Sequence, residues 1–366
     1  MPRPTTATIH ADALRHNLGE VRRRAPRSRV MAVVKADGYG HGLERVAGAL
    51  AEADAFGVAM LEDARRLRAL GLVQPILLLS GFNAAEDLPE IRSLGLDAAV
   101  HHASQLELLE QAGGGAPIRC WLKVDSGMHR LGFPPAEVRD AHARLAALPG
   151  VAEDIVLMNH FASSDEFGGA QTRKQLQVFE ACTAGLTGPR SLANSAAVLG
   201  WPEAHADWVR PGGALYGMSV VEGRTGVDFG LRPAMTLATG LLAVNRVCRG
   251  EPVGYSATWT CPEDMPLGIA AAGYGDGYPR HAPAGTPVLV NGRAAKVVGR
   301  VSMDLMAIDL RGHPDAVPGD PVVLWGEGLP VETVAAAAGT IGYALTCAVT
   351  RRVGFACRDA GAPNPA

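Results

Sequence analysis

Short apolar runs rich in β-branched or aromatic residues recur along the first two-thirds of the chain. In order they are VMAVVK (30–35), AFGVAM (55–60), PILLLS (75–80), LDAAV (96–100), IRCWLKV (118–124), DIVLMNHF (154–161), SLANS (191–195) and WVRPGGALYG (208–217). Between them the apolar positions change to a helical period, in LERVAGALAEA, EDARRLRALG, SQLELLEQAG, PAEVRDAHARLAAL and RKQLQVFEACTAGL. Alternation of strand and helix predicts a parallel sheet. Eight strands within about 215 residues predict closure into a (β/α)8 barrel of the TIM type, since an open sheet more often stops at about five to seven. A doubly wound sheet is the competing fold, but no GxGxxG follows the first strand.

After LRPAMTL the pattern becomes strands punctuated by turns: LATGLLAVNRVCRGEPVGYSATW, GIAAAGYGDGY, PVLVNGRAAKVVGRVSMDLMAIDL and PVVLWG. The Asn-Gly within VLVNGRAAKVV predicts a tight hairpin, and PVETVAAAAG a short helix. The predicted organisation is α/β: residues 1–232 form the barrel and residues 233–366 a mostly-β domain, with the boundary near Pro233.

Composition narrows the function classes. Of 366 residues, 48% are apolar and 19% charged, and the net charge of −3 favours neither nucleic acid nor an anionic membrane. The basic stretch VRRRAPRSRV (21–30) lacks interleaved aromatics and reads as a solvated helix end. Six scattered cysteines without a CxxC pair fit reduced thiols and no structural metal. The N-terminus has no apolar segment of the secretory kind and no run is long enough to span a membrane, so the expected location is cytoplasmic.

In a parallel barrel, chemistry sits on the loops after the strands. Those positions hold Lys35 and Tyr39 after the first strand, Lys123 and Arg130 after the fifth, and His160 at the end of the sixth. Asn194 and Ser195 follow the seventh, and Arg210, Gly212 and Gly213 lie at the eighth. The last two strands lead to the usual phosphate site of such barrels, where small residues expose backbone N–H groups. A lysine facing a phosphate anchor suits pyridoxal phosphate held as a Schiff base, because enclosure lowers the amine's pKa. Other phosphate-binding barrels also carry lysines, so these features alone leave the cofactor open.

AVVKADGYGHG (32–42), WLKVDSGMHRLGF (121–133), NHFASSD (159–165), LANSAA (192–197), VRPGGALYG (209–217), VGYSATW (253–259), AAGYGDGYPR (271–280) and VGRVSMD (298–304) together resemble the alanine racemase family. The resemblance spans nearly the whole chain. It implies an isomerase (EC 5.1.1.1) that uses pyridoxal 5′-phosphate to interconvert L-alanine and D-alanine, supplying D-alanine for bacterial peptidoglycan, and it implies a homodimer with shared active sites.

Carried over by position, Lys35 bears the cofactor and is the base for D-alanine. Tyr255, supplied by the other subunit's β domain, is the base for L-alanine. Arg210 faces the pyridine nitrogen, while Tyr39, Ser195, Gly212, Gly213 and Tyr343 surround the phosphate, with Asn194 beside them. Arg130 reaches the cofactor's phenolic oxygen and the substrate carboxylate, Met303 of the other subunit adds its backbone to the carboxylate site, and Tyr274 and Asp304 line the entrance. A phenol titrates near ~10, so a tyrosine base needs a neighbour; the resemblance gives that role to His160, hydrogen-bonded to Arg210. Lys123 matches a lysine that some relatives carry as a carbamate. Ser191 departs from the family, where many relatives have His.

A serine or broad-spectrum racemase of the same fold is the alternative, because a hydroxymethyl differs from a methyl by one oxygen. A barrel-only pyridoxal-phosphate carrier would lack the second domain. A related decarboxylase would pair the ring nitrogen with an acid where this chain has Arg210.

Overall fold

The structure, a computed structural model, describes residues 4–359; the outermost parts of both predicted domains, 1–3 and 360–366, lie outside the described residues. The chain opens with β1 (Thr6–His10) and a helix, Ala11–Arg24. Eight parallel strands then close into a barrel: β2 (Arg29–Val33), β3 (Ala55–Val58), β4 (Ile76–Leu78), β5 (Asp97–Val100), β6 (Cys120–Lys123), β7 (Val156–Met158), β8 (Arg190–Ser191) and β9 (Trp208–Val209). Closure is made by β9 pairing with β2, Arg29 opposite Trp208 and Val30 opposite Val209. All eight overlap the apolar runs above, with β2 and β8 each beginning one residue earlier, at Arg29 and Arg190. Met31, Ala55, Leu77, Ala99, Trp121, Val156, Met158 and Trp208 fill the barrel, the two tryptophan rings 5.7 Å apart, so the interior is a packed core.

The second domain is built on β10 (Met235–Val247), β11 (Pro252–Val253), β12 (Trp259–Thr260), β13 (Met265–Ala270), β14 (Pro287–Val290), β15 (Arg293–Val298), β16 (Met306–Asp309), β17 (Pro321–Trp325) and β18 (Gly354–Arg358). Its large sheet runs β13-β16-β15-β14-β17-β10-β1-β18, and β10 also pairs with β13. The β14–β15 hairpin turns at Asn291 and Gly292, both with positive φ, as the Asn-Gly signal requires.

One assignment differs from the sequence expectation that residues 1–232 are barrel. β1 lies in the second sheet, antiparallel to β10 and parallel to β18. Its partners are more than two hundred residues away, and five residues of TATIH carry no local signal of where they pair. The N-terminus therefore ties the domains together. Asn17, fully buried on the first helix, strengthens this tie: its Nδ2 donates to Leu215 O at 2.9 Å and Arg232 O at 2.8 Å, and its Oδ1 accepts from Arg232 N at 2.8 Å. Asn17→Ala should lower stability by about 3 kcal/mol, because several main-chain groups lose their partner; equilibrium urea unfolding checks this. Glu332, in the helix Val331–Ala337, makes a second link by accepting from Ser219 N at 2.8 Å and Gly226 N at 2.7 Å.

Candidate active site

The loops at the C-terminal ends of the barrel strands surround a cavity of about 580 Å³. β2 stops at Val33, so Lys35 does not end the strand but begins a short turn. Ala36, Asp37, Gly38 and Tyr39 have φ of 54°, 52°, 61° and 53°, a left-handed turn. That conformation costs non-glycine residues roughly 1–2 kcal/mol each, so it persists only where neighbours over-determine it. Asp37 Oδ1 accepts from Leu43 N at 3.0 Å and Arg66 Nη2 at 2.8 Å, and Gly40 N donates to Ala36 O at 3.0 Å. Behind the turn a Cβ on Gly40 would sit 2.1 Å from Thr346 O, so the second domain's helix Gly342–Cys347 presses directly on this segment. The result puts Lys35 and Tyr39 on the wall of one cavity.

Tyr39 also forms one side of a cradle made of glycines and hydroxyls. A Cβ on Gly212 would stand 2.3 Å from Tyr39 Oη, and one on Gly213 would stand 2.1 Å from Tyr343 Oη. The Tyr39 and Tyr343 rings meet edge to face at 5.4 Å. Ser195 Oγ accepts from Gly212 N at 2.9 Å and Ala214 N at 3.2 Å, which ties the seventh and eighth loops together. Asn194 has a structural task here: its Oδ1 accepts from Ala197 N at 3.0 Å and Ser164 Oγ at 2.8 Å, capping Ser195–Gly200.

The charged groups of the cavity, Lys35, Lys123, Arg130 and Arg210, are all cationic. Arg210 is buried, and its two Nη groups donate to Ser191 O at 2.7 Å, Ser191 Oγ at 2.5 Å, Asn159 O at 2.6 Å and Leu192 O at 3.4 Å. No carboxylate is among these acceptors, and burial pushes Arg210 down to about 10. Ser191, where the resemblance led to an expectation of His, keeps Arg210 in place and donates its own hydroxyl to Trp208 O at 3.0 Å. None of these four bonds goes to His160, although the resemblance implied such a bond; both Nη groups are occupied by the ends of β7 and β8. Burial, followed by the charges of Arg210, Lys123, Arg130 and Lys35, holds the His160 imidazole well below its ordinary pKa, so it is neutral. Burial and then Arg210, Arg130 and Lys35 push the Lys123 amine down to about 8. Lys35 is lowered by burial and by Arg130.

Four of the candidates do not join this cavity within one chain. Tyr255 sits at the turn between β11 and β12 and is 67% exposed; Met303 is 52% exposed, and Tyr274 and Asp304 lie nearby. Tyr274 N donates to Ser302 O at 3.0 Å, Gly275 N to Met303 O at 2.8 Å, and Arg300 Nη1 to Ser256 Oγ at 3.3 Å, which joins the three turns into one surface. Asp304 pairs with Arg352, which also holds Asp276 at 2.9 Å. Cys347 and Leu131 line the cavity without having been singled out from the sequence. Cys347 was traceable through its spacing, four residues after Tyr343 on one helix.

Sequence and structure comparisons give a consistent family. The profile of the alanine racemase N-terminal domain matches residues 9–220, and that of the C-terminal domain matches residues 234–356. An alanine racemase of Nitrosococcus oceani is 55% identical over 348 residues, covering 95% of this chain and 97% of the relative. One from Shewanella baltica is 53% identical over 347 residues, with coverage of 95% and 97%. The crystal structure of the biosynthetic alanine racemase from Pseudomonas aeruginosa superimposes with a TM-score of 0.95 at 48% identity, covering 97% of this chain and 99% of that one.

Proposed function

The chain belongs to the alanine racemase family, and from that premise we propose that it interconverts L-alanine and D-alanine using pyridoxal 5′-phosphate at the barrel mouth. The observation that carries this proposal is one cavity holding both a half-buried lysine of lowered pKa and a glycine–tyrosine cradle. The cradle fits the cofactor's phosphate, because Tyr39, Ser195 and Tyr343 offer hydroxyls and Gly213 its N–H, while a Cβ on Gly212 or Gly213 would collide with the tyrosines; the Gly212 N–H holds Ser195 Oγ in place. Lys35 would hold the cofactor through Nζ. When bound, pyridoxal phosphate supplies a conjugated electron sink that acidifies the alanine Cα–H.

Each remaining task falls to a residue of this chain or of a second copy. Lys35 Nζ exchanges a proton with Cα on one face and serves as the base for D-alanine. Tyr255 Oη of the second copy does so on the other face and serves as the base for L-alanine. His160, kept neutral, can accept a hydrogen bond from that phenol. Arg210 spends both Nη groups on main chain and Ser191, and it would face the cofactor's ring nitrogen with the remaining Nε–H. A guanidinium does not hand over its proton, so Arg210 would leave the ring a weaker electron sink and would limit side reactions. Arg130 and the partner copy's Met303 backbone take the substrate carboxylate, and Tyr274 and Asp304 line the way in. The exposed surface around Tyr255 is what a homodimer of this kind would bury.

An absorbance scan of the purified protein should show a bound-cofactor band beyond 400 nm, and added L-alanine should yield D-alanine. A colourless protein that produces no D-alanine after cofactor is supplied would refute the proposal. Rates on serine and lysine well below that on alanine would exclude the broad-spectrum alternative.

Lys123 makes a smaller prediction. With the amine at about 8, roughly a tenth is neutral at pH 7 and able to bond its Nζ to CO2, releasing one proton to water. The carbamate anion would sit among Arg130, Arg210 and Lys35, which disfavour the bare ammonium. At fixed dissolved CO2 its occupancy should rise from pH 6 to 8 as the neutral fraction grows. Carbon-13 bicarbonate should give a carbamate resonance that Lys123→Gln lacks; a spectrum identical to the variant's at pH 8 means the lysine stays bare.

A further inference from the structure

Arg130 has an exposed side chain with no hydrogen-bond or ion-pair partner among the described residues, yet it faces the cavity beside Lys35 and Lys123. A long, unpaired guanidinium can be aimed only by its backbone. The loop that carries it, 125–133, is closed at its base. Asp125 N donates to Phe133 O at 2.9 Å and Phe133 N to Lys123 O at 2.8 Å, with Phe133 buried in the core. Its first half is fastened from below. Ser126 Oγ accepts from Asn159 Nδ2 at 3.0 Å and Gln175 Nε2 at 3.3 Å, and Gly127 O accepts from Gln171 Nε2 at 3.1 Å.

The tip is organised by one side chain. Asp125 Oδ1 accepts from the main-chain N–H groups of Gly127 at 3.0 Å, Met128 at 3.1 Å and His129 at 3.0 Å. Its Oδ2 meets His129 Nδ1 at 3.1 Å. His129, the residue before Arg130, is turned into the left-handed region at φ 55°, where a histidine needs outside support. Burial opposes ionisation of Asp125, but the hydrogen bonds outweigh it and hold the carboxyl below its usual range.

We propose that Asp125 is a positioning residue: its carboxylate gathers the main chain of 127–129 and thereby fixes the backbone that presents Arg130 to the substrate's carboxylate. This rests on the alanine racemase activity proposed above. Asp125 does not line the cavity, and its effect passes through the loop.

The test compares Asp125→Ala with Asp125→Asn. The asparagine side-chain oxygen can still accept the three N–H groups; alanine accepts none. In the holoenzyme, Asp125→Ala should raise KM for alanine about tenfold in both directions with kcat changed less than threefold, and Asp125→Asn should restore KM to within about threefold of wild type. In an Arg130→Ala background, Asp125→Ala should add almost nothing, because the two changes remove one function. Independently of activity, trypsin should cut after Arg130 about tenfold faster in Asp125→Ala than in wild type or Asp125→Asn.

Should the alanine variant fail to fold, Asp125→Ser, with a shorter acceptor, must show intermediate KM and cleavage. An unchanged KM with unchanged cleavage overturns the proposal, as does a fall in kcat at constant KM. A wild-type protein that does not racemise alanine overturns the activity instead, while the cleavage rates still report on the loop.

Discussion

Tyr255→Phe should reduce alanine racemisation by about 10²–10⁴-fold, the usual contribution of a single acid–base group, while leaving cofactor absorbance intact. Inversion needs a proton exchanged on each face of Cα, and loss of one phenolic oxygen stops one of the two exchanges. Because Tyr255 is 67% exposed and does not line the cavity of its own chain, its lesion should be repairable in mixture. Lys35→Ala alone should be inactive. Unfolding and refolding it with an equal amount of Tyr255→Phe should restore roughly a quarter of wild-type activity, since in a symmetric dimer half the pairs are mixed and one of their two sites is intact. If the tyrosine served its own chain, every site in the mixture would carry a lesion and no activity would return. The mixture therefore tests dimer, trans donation and the base assignment together.

Gly213→Ala should weaken pyridoxal-phosphate binding by about tenfold to a hundredfold. The new Cβ would meet Tyr343 Oη at 2.1 Å, Cε1 at 2.3 Å and Cζ at 2.5 Å, so the whole ring has to move. Overpacking of this kind costs roughly 1–3 kcal/mol, and here it falls on the atoms proposed to hold the phosphate. Absorbance titration of the apoprotein measures it, and an affinity within twofold of wild type would deny the cradle its role. Gly212→Ala supplies an internal control. Its Cβ would stand 2.3 Å from Tyr39 Oη but 2.9 Å from Cζ. Tyr39→Phe should therefore recover part of the binding that Gly212→Ala loses.

The eight barrel strands were legible because strands buried on both faces read as unbroken apolar runs, and the hairpin at Asn291-Gly292 because its turn admits few residue types. Knowing that loops after barrel strands carry chemistry, the sequence also named half of the cavity's wall, from Lys35 to Gly213. It did not reveal that β1 crosses to the second sheet, because Ile9 pairs with Met235 and no local period records a partner so distant. It placed Lys35 at a strand's end, whereas the left-handed turn holding it is stabilised by Arg66 from another helix. Ser191 stands where the resemblance led to an expectation of His, and its hydroxyl holds Arg210. What the chain determined by itself was which residues avoid water and with what period. Which buried donor meets which acceptor was decided by packing between segments remote in sequence, since a hydrogen bond depends on distance and direction in space and a periodicity carries neither.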